Sequence, residues 1–291
     1  MHRMLKSMTG FGKATGTYHT KKITVEIRSL NSKSLDLSTR IPSHFKELDA
    51  HMRKMILATC GRGKIDFALS VDVAEAEQSK SINEKKAMAY FDELKALEKV
   101  IGEESSDYLS MILRMPDIYS SVKSDLTEDE KEIVFTVAKE AIESLNTFRR
   151  KEGEDLQLEF QERIDEIRSF LLEVPKYEQE RIEIIRERMK KGLEEIQSGS
   201  YDDNRFEQEM IFYIEKLDVA EEKMRLSNHL TYFEETMILN ESGKKLGFIA
   251  QEIGREINTL GSKSNHAEMQ KLVIGMKDNL EKIKEQILNT L

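Results

Sequence analysis

Alternation of apolar and polar residues is concentrated in the first quarter of the chain, and it limits where a sheet can form. The stretch KITVEIRSLNSKSLDLS at 22–38 and the stretch KIDFALSVDVA at 64–74 carry β-branched and aliphatic residues largely at every second position. A period of two with β-branched residues predicts strands. The glycine-interrupted run RMLKSMTGFGKATG at 3–16 predicts a further strand with a bend.

Helical spacing of apolar residues dominates the remainder of the chain. Between the predicted strands, FKELDAHMRKMILATC at 45–60 is an amphipathic helix, which makes the first region an α/β or α+β unit. Further helices are predicted at 83–101, 127–150, 151–197 (two long helices meeting near Pro175), about 205–240, 242–263 and 272–287.

Length and composition suggest how these elements are divided. The chain has 291 residues, of which 34% are charged, with 3 prolines and no tryptophan, a balance that favours long solvated helices. A length of about twice that of a usual domain favours two domains. We therefore predict an α+β fold: an N-terminal α/β domain with a small sheet at 1–150, followed by a mainly α C-terminal domain with long helices at 151–291.

Several classes of protein are disfavoured. The one cysteine, Cys60, can form neither an intramolecular disulfide nor a cysteine metal cluster, which fits a reducing compartment. There is no apolar run of the length that a membrane span needs, about 18 residues. The start MHRMLKSMTGFG lacks the apolar stretch of a signal peptide. We expect a cytoplasmic protein without a membrane partner.

Charge is distributed unevenly along the chain. The whole chain carries a net charge of −9, yet residues 1–70 contain 13 Lys and Arg against 5 Asp and Glu. Such asymmetry fits either a phosphate-binding surface or electrostatic packing of the basic and acidic parts against each other.

The polar side of the predicted strands is rich in hydrogen-bond donors suited to phosphate oxygens. Its alternative interpretation is an ordinary solvated sheet face. The turn GRGK at 61–64 lacks the GxxxxGK[ST] spacing of a phosphate loop, so it predicts no nucleotide site. The basic residues of this region that could contact phosphate groups are Arg28, Lys33, Arg40, Arg62 and Lys64.

One predicted helix carries a polar stripe. Asp218, Glu222, Arg225, His229 and Phe233 are separated by four, three, four and four residues, which predicts one shared helical face. Asp218 with Glu222 is a carboxylate pair suited to Mg²⁺ or Mn²⁺. Glu222 and His229 are about 10 Å apart along a helix axis, so they cannot bind one ion from a straight helix. His229 is instead a candidate proton-transfer group, or a ligand beside carboxylates of another helix.

The segment SGKKLGFIAQEIGREINTLGSK at 242–263 provides a second carboxylate pair, Glu252 and Glu256, with Arg255 beside it. If this helix packs antiparallel to the helix of the polar stripe, the two pairs and the histidine could surround a cation. The alternative is a network of ion pairs between acids and neighbouring arginines, such as Glu252 with Arg255. Isolated exposed pairs stabilise a fold by only about 0–1 kcal/mol each, which modestly favours a functional role.

Basic residues flank these acids, and the combination suits phosphodiester cleavage. A cation and basic side chains offset the charge of the phosphate, while a base or metal-bound hydroxide activates the nucleophile. In RNA the 2′-OH is itself available as a nucleophile. The basic residues of this region are Arg225, Lys244, Lys245, Arg255 and Lys263.

Long motifs in order along the chain resemble the YicC-like family of bacterial proteins. They are SMTGFG at 7–12, EIRSLNSKSLDLSTRIP at 26–42, GRGK at 61–64, DVAEEKMRLSNHL at 218–230, GKKLGFIAQEIGREINTLGSKS at 243–264 and KEQILN at 284–289. The resemblance spans nearly the whole chain, although residues 75–200 contribute little to it. It implies a metal-dependent endoribonuclease that assembles into ring-like homohexamers, with an N-terminal YicC-like domain and a helical C-terminal domain.

Our leading hypothesis is a cytoplasmic endoribonuclease, a hydrolase that acts on phosphodiester bonds of RNA. The predicted catalytic residues are His229, Glu222, Glu252, Glu256 and Arg255. The predicted ligands of Mg²⁺ or Mn²⁺ are a subset of Asp218, Glu222, Glu252, Glu256 and His229. The predicted RNA contacts are Arg28, Lys33, Arg40, Arg62, Lys64, Arg225, Lys244, Lys245 and Lys263. The alternative is a non-catalytic RNA-binding adaptor or chaperone whose acids form a salt-bridged bundle, and a third possibility is a structural coiled-coil scaffold.

Overall fold

The computed structural model describes residues 5–32, 34–73, 81–102, 106–116, 118–120, 126–196, 203–239 and 242–291. A four-stranded sheet is formed by β1 (Gly10–Tyr18), β2 (Lys21–Leu30), β3 (Leu35–Arg40) and β4 (Gly63–Val73) in the order β1-β2-β4-β3. β2 pairs antiparallel with both β1 and β4, and β3 pairs parallel with β4. The predicted strands and small N-terminal sheet are confirmed.

One face of this sheet is the first hydrophobic core. Ile23, Val25 and Ile27 of β2 alternate inward and are fully buried, as period-two patterning requires. The next inward position is taken by Ser29, which is 1% exposed, whereas the apolar Leu30 is 53% exposed on the other face. Helix α1 (Asp49–Thr59) and a preceding 3₁₀ turn (Ser43–Leu48) help to cover the core.

A long helix, α4 (Glu128–Glu173), runs through both halves of the molecule. It has 46 residues and begins at Thr127, whose side chain accepts a hydrogen bond from the Glu130 backbone N–H. Its first half packs on the sheet and its second half lies in the C-terminal core. The helices predicted on either side of residue 150 are thus one continuous helix, while the predicted domain boundary at 150 stays a prediction.

Short elements follow the sheet. A two-stranded sheet is formed by β5 (Ser81–Ile82) and β6 (Tyr119–Ser120). Between these strands in the sequence lie α2 (Glu84–Ile101) and α3 (Tyr108–Leu113). The Asn83 side chain caps α2, which ends at Gly102 in the left-handed conformation, φ 79°. None of the described residues of α2 is buried, and its apolar residues Met88, Leu97, Val100 and Ile101 are exposed.

The C-terminal part is helical, as predicted. Helix α4 ends just before a 3₁₀ turn (Val174–Tyr177) that contains Pro175, which confirms the predicted break. The elements that follow are α5 (Glu178–Ile196), α6 (Asp203–Lys216), α7 (Ala220–Met237), α8 (Gly243–Lys263) and α9 (Ala267–Ile287). The second half of α4 packs with α7, α8 and α9 around a second hydrophobic core. In the part of the chain that the structure describes, no helix is both long and apolar enough to cross a membrane.

The two ends of the chain meet beside α4 and join the two cores. The Ser7 backbone N–H donates to the Arg149 carbonyl at 3.0 Å, and the Met8 N–H donates to the Asn289 carbonyl at 2.7 Å. At the C terminus, the Leu291 N–H donates to the Lys6 carbonyl, and the Gly243 N–H donates to the Leu291 carbonyl. These backbone bonds place the first turn of α8 next to the N-terminal segment and the last residues of the chain.

Candidate functional site

Helices α7 and α8 lie antiparallel, which is the arrangement that a site between them requires. The Nζ atom of Lys245, in the first turn of α8, is 4.5 Å from the ring centroid of Tyr232 near the end of α7. At the opposite ends, the Nζ atom of Lys263 lies 2.8 Å from Oε1 of Glu222. Residues of both helices can therefore contribute to one surface.

Helix α8 has an apolar face and a polar face. Its buried side joins the second core through Leu246, Ile249, Ala250, Ile253, Ile257 and Leu260. Phe248, Glu252 and Arg255 are exposed on the other side, and Phe248 has 63% of its surface accessible. A helix that buries one stripe leaves the neighbouring stripe free for contacts with a ligand.

The polar stripe predicted for α7 is not a single face. The helix predicted at about 205–240 is interrupted between α6 and α7, and Asp218 lies in that interruption. Its Oδ1 accepts the Ala220 backbone N–H at 3.2 Å, an interaction that favours a helix start over a helix interior. Phe233 is fully buried and packs edge-to-face on Phe160. Asp218 and Phe233 therefore do not share an exposed face with Arg225.

Glu222 is a buried carboxylate at the start of α7, with a residue exposure of 5%. Lys263 neutralises it through the contact with Oε1 and also donates to the Asp218 carbonyl at 2.9 Å. Oε2 of Glu222 is buried and has no hydrogen-bond partner among the described residues. An unsatisfied buried carboxylate oxygen is costly, because desolvation is not compensated there.

The second carboxylate pair is split between two environments. Glu252 is exposed, and its Oε2 lies 4.0 Å from the Arg255 guanidinium. Glu256 is only 6% exposed and lies on the side of α8 that also buries Ile257 and Leu260. The two acids are one helical turn apart but face solvent and core respectively.

The five predicted metal ligands do not form one cage within this chain. Among the described residues, no three His, Cys, Asp or Glu side chains are placed to hold one ion. One oxygen of Glu222 is occupied by Lys263, and ion pairs also link Glu221 with Arg225 and Glu252 with Arg255. These contacts match the salt-bridge alternative, while Asp218 and Glu252 remain exposed to solvent.

The remaining predicted residues of the two helices are accessible to differing degrees. His229 is half-buried, whereas Arg225, Lys244 and Lys245 are exposed. Since Lys244 and Lys245 follow Gly243, they lie at the junction where the chain ends meet. Cations of α8 are therefore close in the fold to the N-terminal segment.

The sheet face turned away from α4, which we term the open face, carries three of the predicted RNA contacts. Arg28, Arg40 and Lys64 are exposed and have the same pleat direction on β2, β3 and β4. Of the other two, Arg62 is half-buried and its Nε donates to the Ser32 carbonyl at 3.3 Å. Lys33 lies outside the described residues.

The open face mixes both signs of charge. Across it, Arg28 lies opposite Asp66 and Lys64 opposite Asp36 in the strand register. Glu26 accepts a 2.8 Å hydrogen bond from Lys13, and this bond, with the charge of that lysine, lowers the pKa of Glu26. The face is thus less uniformly basic than the count of Lys and Arg in the first 70 residues implies.

The chain ends bring two of the quoted motifs into contact. Besides the backbone bonds of Met8, the Asn289 side-chain carbonyl accepts from Asn31 Nδ2 at 3.4 Å, and Thr9 Oγ1 donates to Glu152 at 2.8 Å. A groove of about 250 Å³ lies between these residues and α4. Residues 7–12 and 284–289 are far apart in sequence, so local patterning carries no signal of their contact.

Arg149 is a buried cation under this junction. It is 1% exposed, donates to Ser29 Oγ and to the Met8 carbonyl at 3.4 Å, and its pKa is lowered by burial. Burial likewise raises the pKa of the Cys60 thiol, which the nearby charge of Arg149 opposes. Sequence patterning did not single out Arg149, because it lies in a helix with many charged residues.

An exposed aromatic ring on the open face was also missed by the sequence interpretation. Phe11 is 37% exposed, and the Arg28 guanidinium carbon lies 5.5 Å from the centroid of its ring. The available signal was an aromatic residue between Gly10 and Gly12.

Comparison with known proteins covers both halves of the chain. A family model described as endoribonuclease YicC-like, N-terminal region, matches residues 5–158, and one described as endoribonuclease YicC-like, C-terminal, matches residues 174–290. A "Probable endoribonuclease YicC" of Clostridioides difficile is 29% identical, over 98% of this chain and 99% of the relative. A protein of the same name from Haemophilus influenzae is 31% identical, with the same coverage. The chain therefore belongs to the endoribonuclease YicC-like family.

Proposed function

We propose that this protein is an endoribonuclease that cleaves RNA phosphodiester bonds. The observation that carries the proposal is the antiparallel α7–α8 pair, which presents an exposed acid, a half-buried histidine and several exposed cations on adjoining helices. The names of the two relatives support the same activity. Acid–base groups beside cations are what phosphodiester cleavage requires.

The exposed cations of the helix pair are proposed to bind the phosphate. Arg225, Arg255, Lys244 and Lys245 are all accessible, and a guanidinium offers a planar pair of donors to phosphate oxygens. Lys263 has a different role in this proposal, because it is bonded to Glu222 and holds that carboxylate at the start of α7.

His229 is proposed to transfer a proton in the reaction, since an imidazole has one ring nitrogen that can accept a proton and one that can donate it. Glu252 is the exposed acid of α8, whereas Glu222 of α7 and Glu256 of α8 are buried. We propose that the buried acids position the helix pair and the exposed acid faces the RNA.

Divalent-metal dependence is a separate part of the proposal. The five predicted ligands, all of them among the described residues, are not placed to hold a single ion within one chain. Asp218 and Glu252 are exposed and are the carboxylates that could contact Mg²⁺ or Mn²⁺ together with an RNA phosphate or a second copy of the chain.

A cleavage assay on the purified chain tests the activity and the metal dependence together. We expect fragmentation of RNA with Mg²⁺ or Mn²⁺ and loss of fragmentation with EDTA. Cleavage that persists in EDTA would contradict the proposed metal dependence but not the proposed nuclease activity. Absence of cleavage under both conditions would contradict the proposed activity.

A second candidate function is RNA binding without cleavage, as an adaptor or chaperone. The ion pairs of Glu222 with Lys263 and of Glu221 with Arg225 favour it, because they give some of the acids of the helix pair a structural role. The same assay distinguishes the two candidates, since an adaptor would retain RNA binding and leave the RNA intact.

The open face is proposed to contact the RNA backbone. Arg40 and Lys64 are exposed on it, and each phosphate contact releases counterions and steepens the salt dependence of binding. We expect Arg40→Ala combined with Lys64→Ala to weaken binding and to reduce the slope of log K against log salt concentration by about 2. An unchanged slope would exclude the face as a phosphate-binding surface.

We further propose that the chain acts in the cytoplasm as a homo-oligomer, a hexamer in line with the family resemblance. Support comes from α2 and α3, where the large apolar residues Met88, Val100, Ile101 and Leu109 are each at least 61% exposed. Exposed apolar patches of this kind mark interaction surfaces. Light scattering in solution should give a mass of several 33.7 kDa chains, and a monomeric mass would contradict it.

A further inference from the structure

The glycines around Phe11 are explained by packing, but Phe11 itself is not. A Cβ atom at Gly12 would lie 2.1 Å from the Ala141 carbonyl oxygen, and one at Gly10 would lie 2.8 Å from Leu145 Cδ1, so α4 approaches the β1 backbone too closely for side chains. Because side chains alternate along a strand, Phe11 must point to the open face. A large aromatic side chain there adds nothing to the first core.

Phe11 begins a row of side chains that crosses the open face. In the strand register it lies opposite Arg28 of β2, which lies opposite Asp66 of β4, which in turn lies opposite Ser38 of β3. Three strand spacings make this row about 14 Å wide. The row offers an aromatic surface, a guanidinium plane, a carboxylate and a hydroxyl in sequence.

Cations lie on both sides of this row. Lys13 and Arg40 belong to the next row in one direction along the strands, and Lys64 belongs to the next row in the other direction. Rows on one face are separated by about 7 Å, the rise of two residues. Arg28 is the most accessible of the ion-paired cations of the face, with 66% of its side chain exposed.

We propose that the row from Phe11 to Ser38 binds unpaired bases of single-stranded RNA. This inference rests on the proposed function and adds a binding element to it. Every base has a π-face that can stack on a phenylalanine ring or a guanidinium plane, and exposed aromatics on a sheet are a recurrent way of holding single strands. The flanking cations match the phosphates of such a strand, and the carboxylate and hydroxyl can accept or donate hydrogen bonds at base edges.

Double-stranded RNA fits this row poorly, because its bases are stacked within the helix and cannot lie on Phe11. The row therefore gives the protein a preference for unpaired RNA, independent of where cleavage occurs. A second copy of the chain is the competing occupant of the open face, and it is an outcome of the test below.

The test measures binding of the full-length protein to a fluorescein-labelled RNA that contains one 2-aminopurine, and to a duplex of the same length. Fluorescence anisotropy gives the affinity, 2-aminopurine quenching reports stacking, and a gel confirms that the RNA is intact. We expect Phe11→Ala to weaken binding of the single strand by at least about fivefold and to abolish the quenching, with little change for the duplex. Phe11→Trp should retain both signals.

Phe212→Ala is the matched control, because Phe212 is a 59% exposed phenylalanine on α6, outside the sheet. Equal losses for single strand and duplex, or a loss in Phe11→Trp as large as in Phe11→Ala, would overturn the inference. So would a change in oligomeric mass of Phe11→Ala without RNA, since the face would then be a subunit contact. If the wild type cleaves RNA but Phe11→Ala binds it normally, the inference fails while the proposed function stands.

Discussion

At the scale of single residues, the contact between Glu222 and Lys263 connects stability to the candidate site. Glu222 is buried, its Oε2 has no hydrogen-bond partner in the described part of the chain, and Lys263 provides the compensating charge. The sequence identified both residues, but it assigned Glu222 to a metal and Lys263 to RNA. Spacing along a helix cannot show which of two nearby groups a buried acid will contact.

A double-mutant cycle tests this pairing. Lys263→Met leaves the Glu222 carboxylate buried without its partner, and we expect the free energy of unfolding to fall by about 2 kcal/mol. Adding Glu222→Gln removes the uncompensated charge and should recover roughly 1 kcal/mol of that loss. Urea denaturation measures all four proteins. If the effects of the two substitutions on the free energy of unfolding are additive, the contact between Glu222 and Lys263 does not stabilise the fold.

At the scale of elements, periodicity predicted most strands and helices because it reports which face each element buries. It missed two features of the helices. The first is that α4 continues through residue 150, because no Pro or sharp break in its pattern marks an end there. The second is the interruption between α6 and α7 at Leu217–Val219, where apolar residues still fit a helical spacing. In the latter case the local bond from Asp218 to the Ala220 N–H accompanies the start of α7.

The close packing of β1 on α4 has a direct mutational test. Gly12→Ala places a Cβ atom 2.1 Å from a backbone oxygen of α4, so we expect a loss of about 3 kcal/mol in the free energy of unfolding. Gly192→Ala in α5 is the matched control, because nothing lies within 4 Å of its added Cβ. Helix propensity predicts a gain of roughly 0.5–1 kcal/mol there. Equal Tm values for Gly12→Ala and Gly192→Ala in thermal melts would contradict the close packing of β1 on α4.

The ion pair between α4 and α7 predicts a pH dependence. Arg168 donates to both carboxylate oxygens of Glu234, at 3.0 and 2.7 Å, and this bond, followed by that from Gln161, lowers the pKa of Glu234 below its ordinary 4.5. The unfolded chain therefore binds this proton first as the pH falls. The stabilisation is complete above pH 4.5 and is lost as the pH falls through the lowered value.

We accordingly expect Glu234→Gln to reduce Tm at pH 7, and the gap to the wild type to narrow as the pH is lowered below 4.5. Glu235→Gln, at the exposed neighbouring position, should show no comparable gap at either pH. Calorimetry at a series of pH values measures both variants. A gap that stays constant with pH would show that the Glu234 carboxylate charge does not stabilise the fold.

At the scale of the whole molecule, one helix belongs to two cores, and the chain ends close the space between them. Val134 to Leu145 of α4 lie in the first core and Phe160 to Leu171 lie in the second. This arrangement places the N-terminal motif against the C-terminal motif and next to the start of α8. The motifs were recognised in the sequence, but their contact could not be predicted, because contacts between distant segments leave no periodic pattern.

The candidate site shows the same limit. The helical segments that carry the site were predicted from their apolar stripes, whereas the antiparallel packing of α7 and α8 was only a condition of the predicted site. The different burial of Asp218, Glu222, Glu252 and Glu256 was not predicted. It depends on where each helix starts and on which neighbouring side chain contacts each acid. Glu252 is consequently the predicted acid that remains most directly available on α8.

The most direct test of the proposed activity is RNA cleavage by Glu252→Gln beside Glu281→Gln. Both acids are exposed and each lies three residues before a cation with which it forms an ion pair, Arg255 in α8 and Lys284 in α9. Cleavage of labelled RNA and RNA binding are measured for both variants and the wild type. We predict that Glu252→Gln lowers cleavage at least about a hundredfold while binding RNA normally, and that Glu281→Gln behaves as the wild type. Wild-type cleavage by Glu252→Gln would contradict the assignment of the site to the α7–α8 pair.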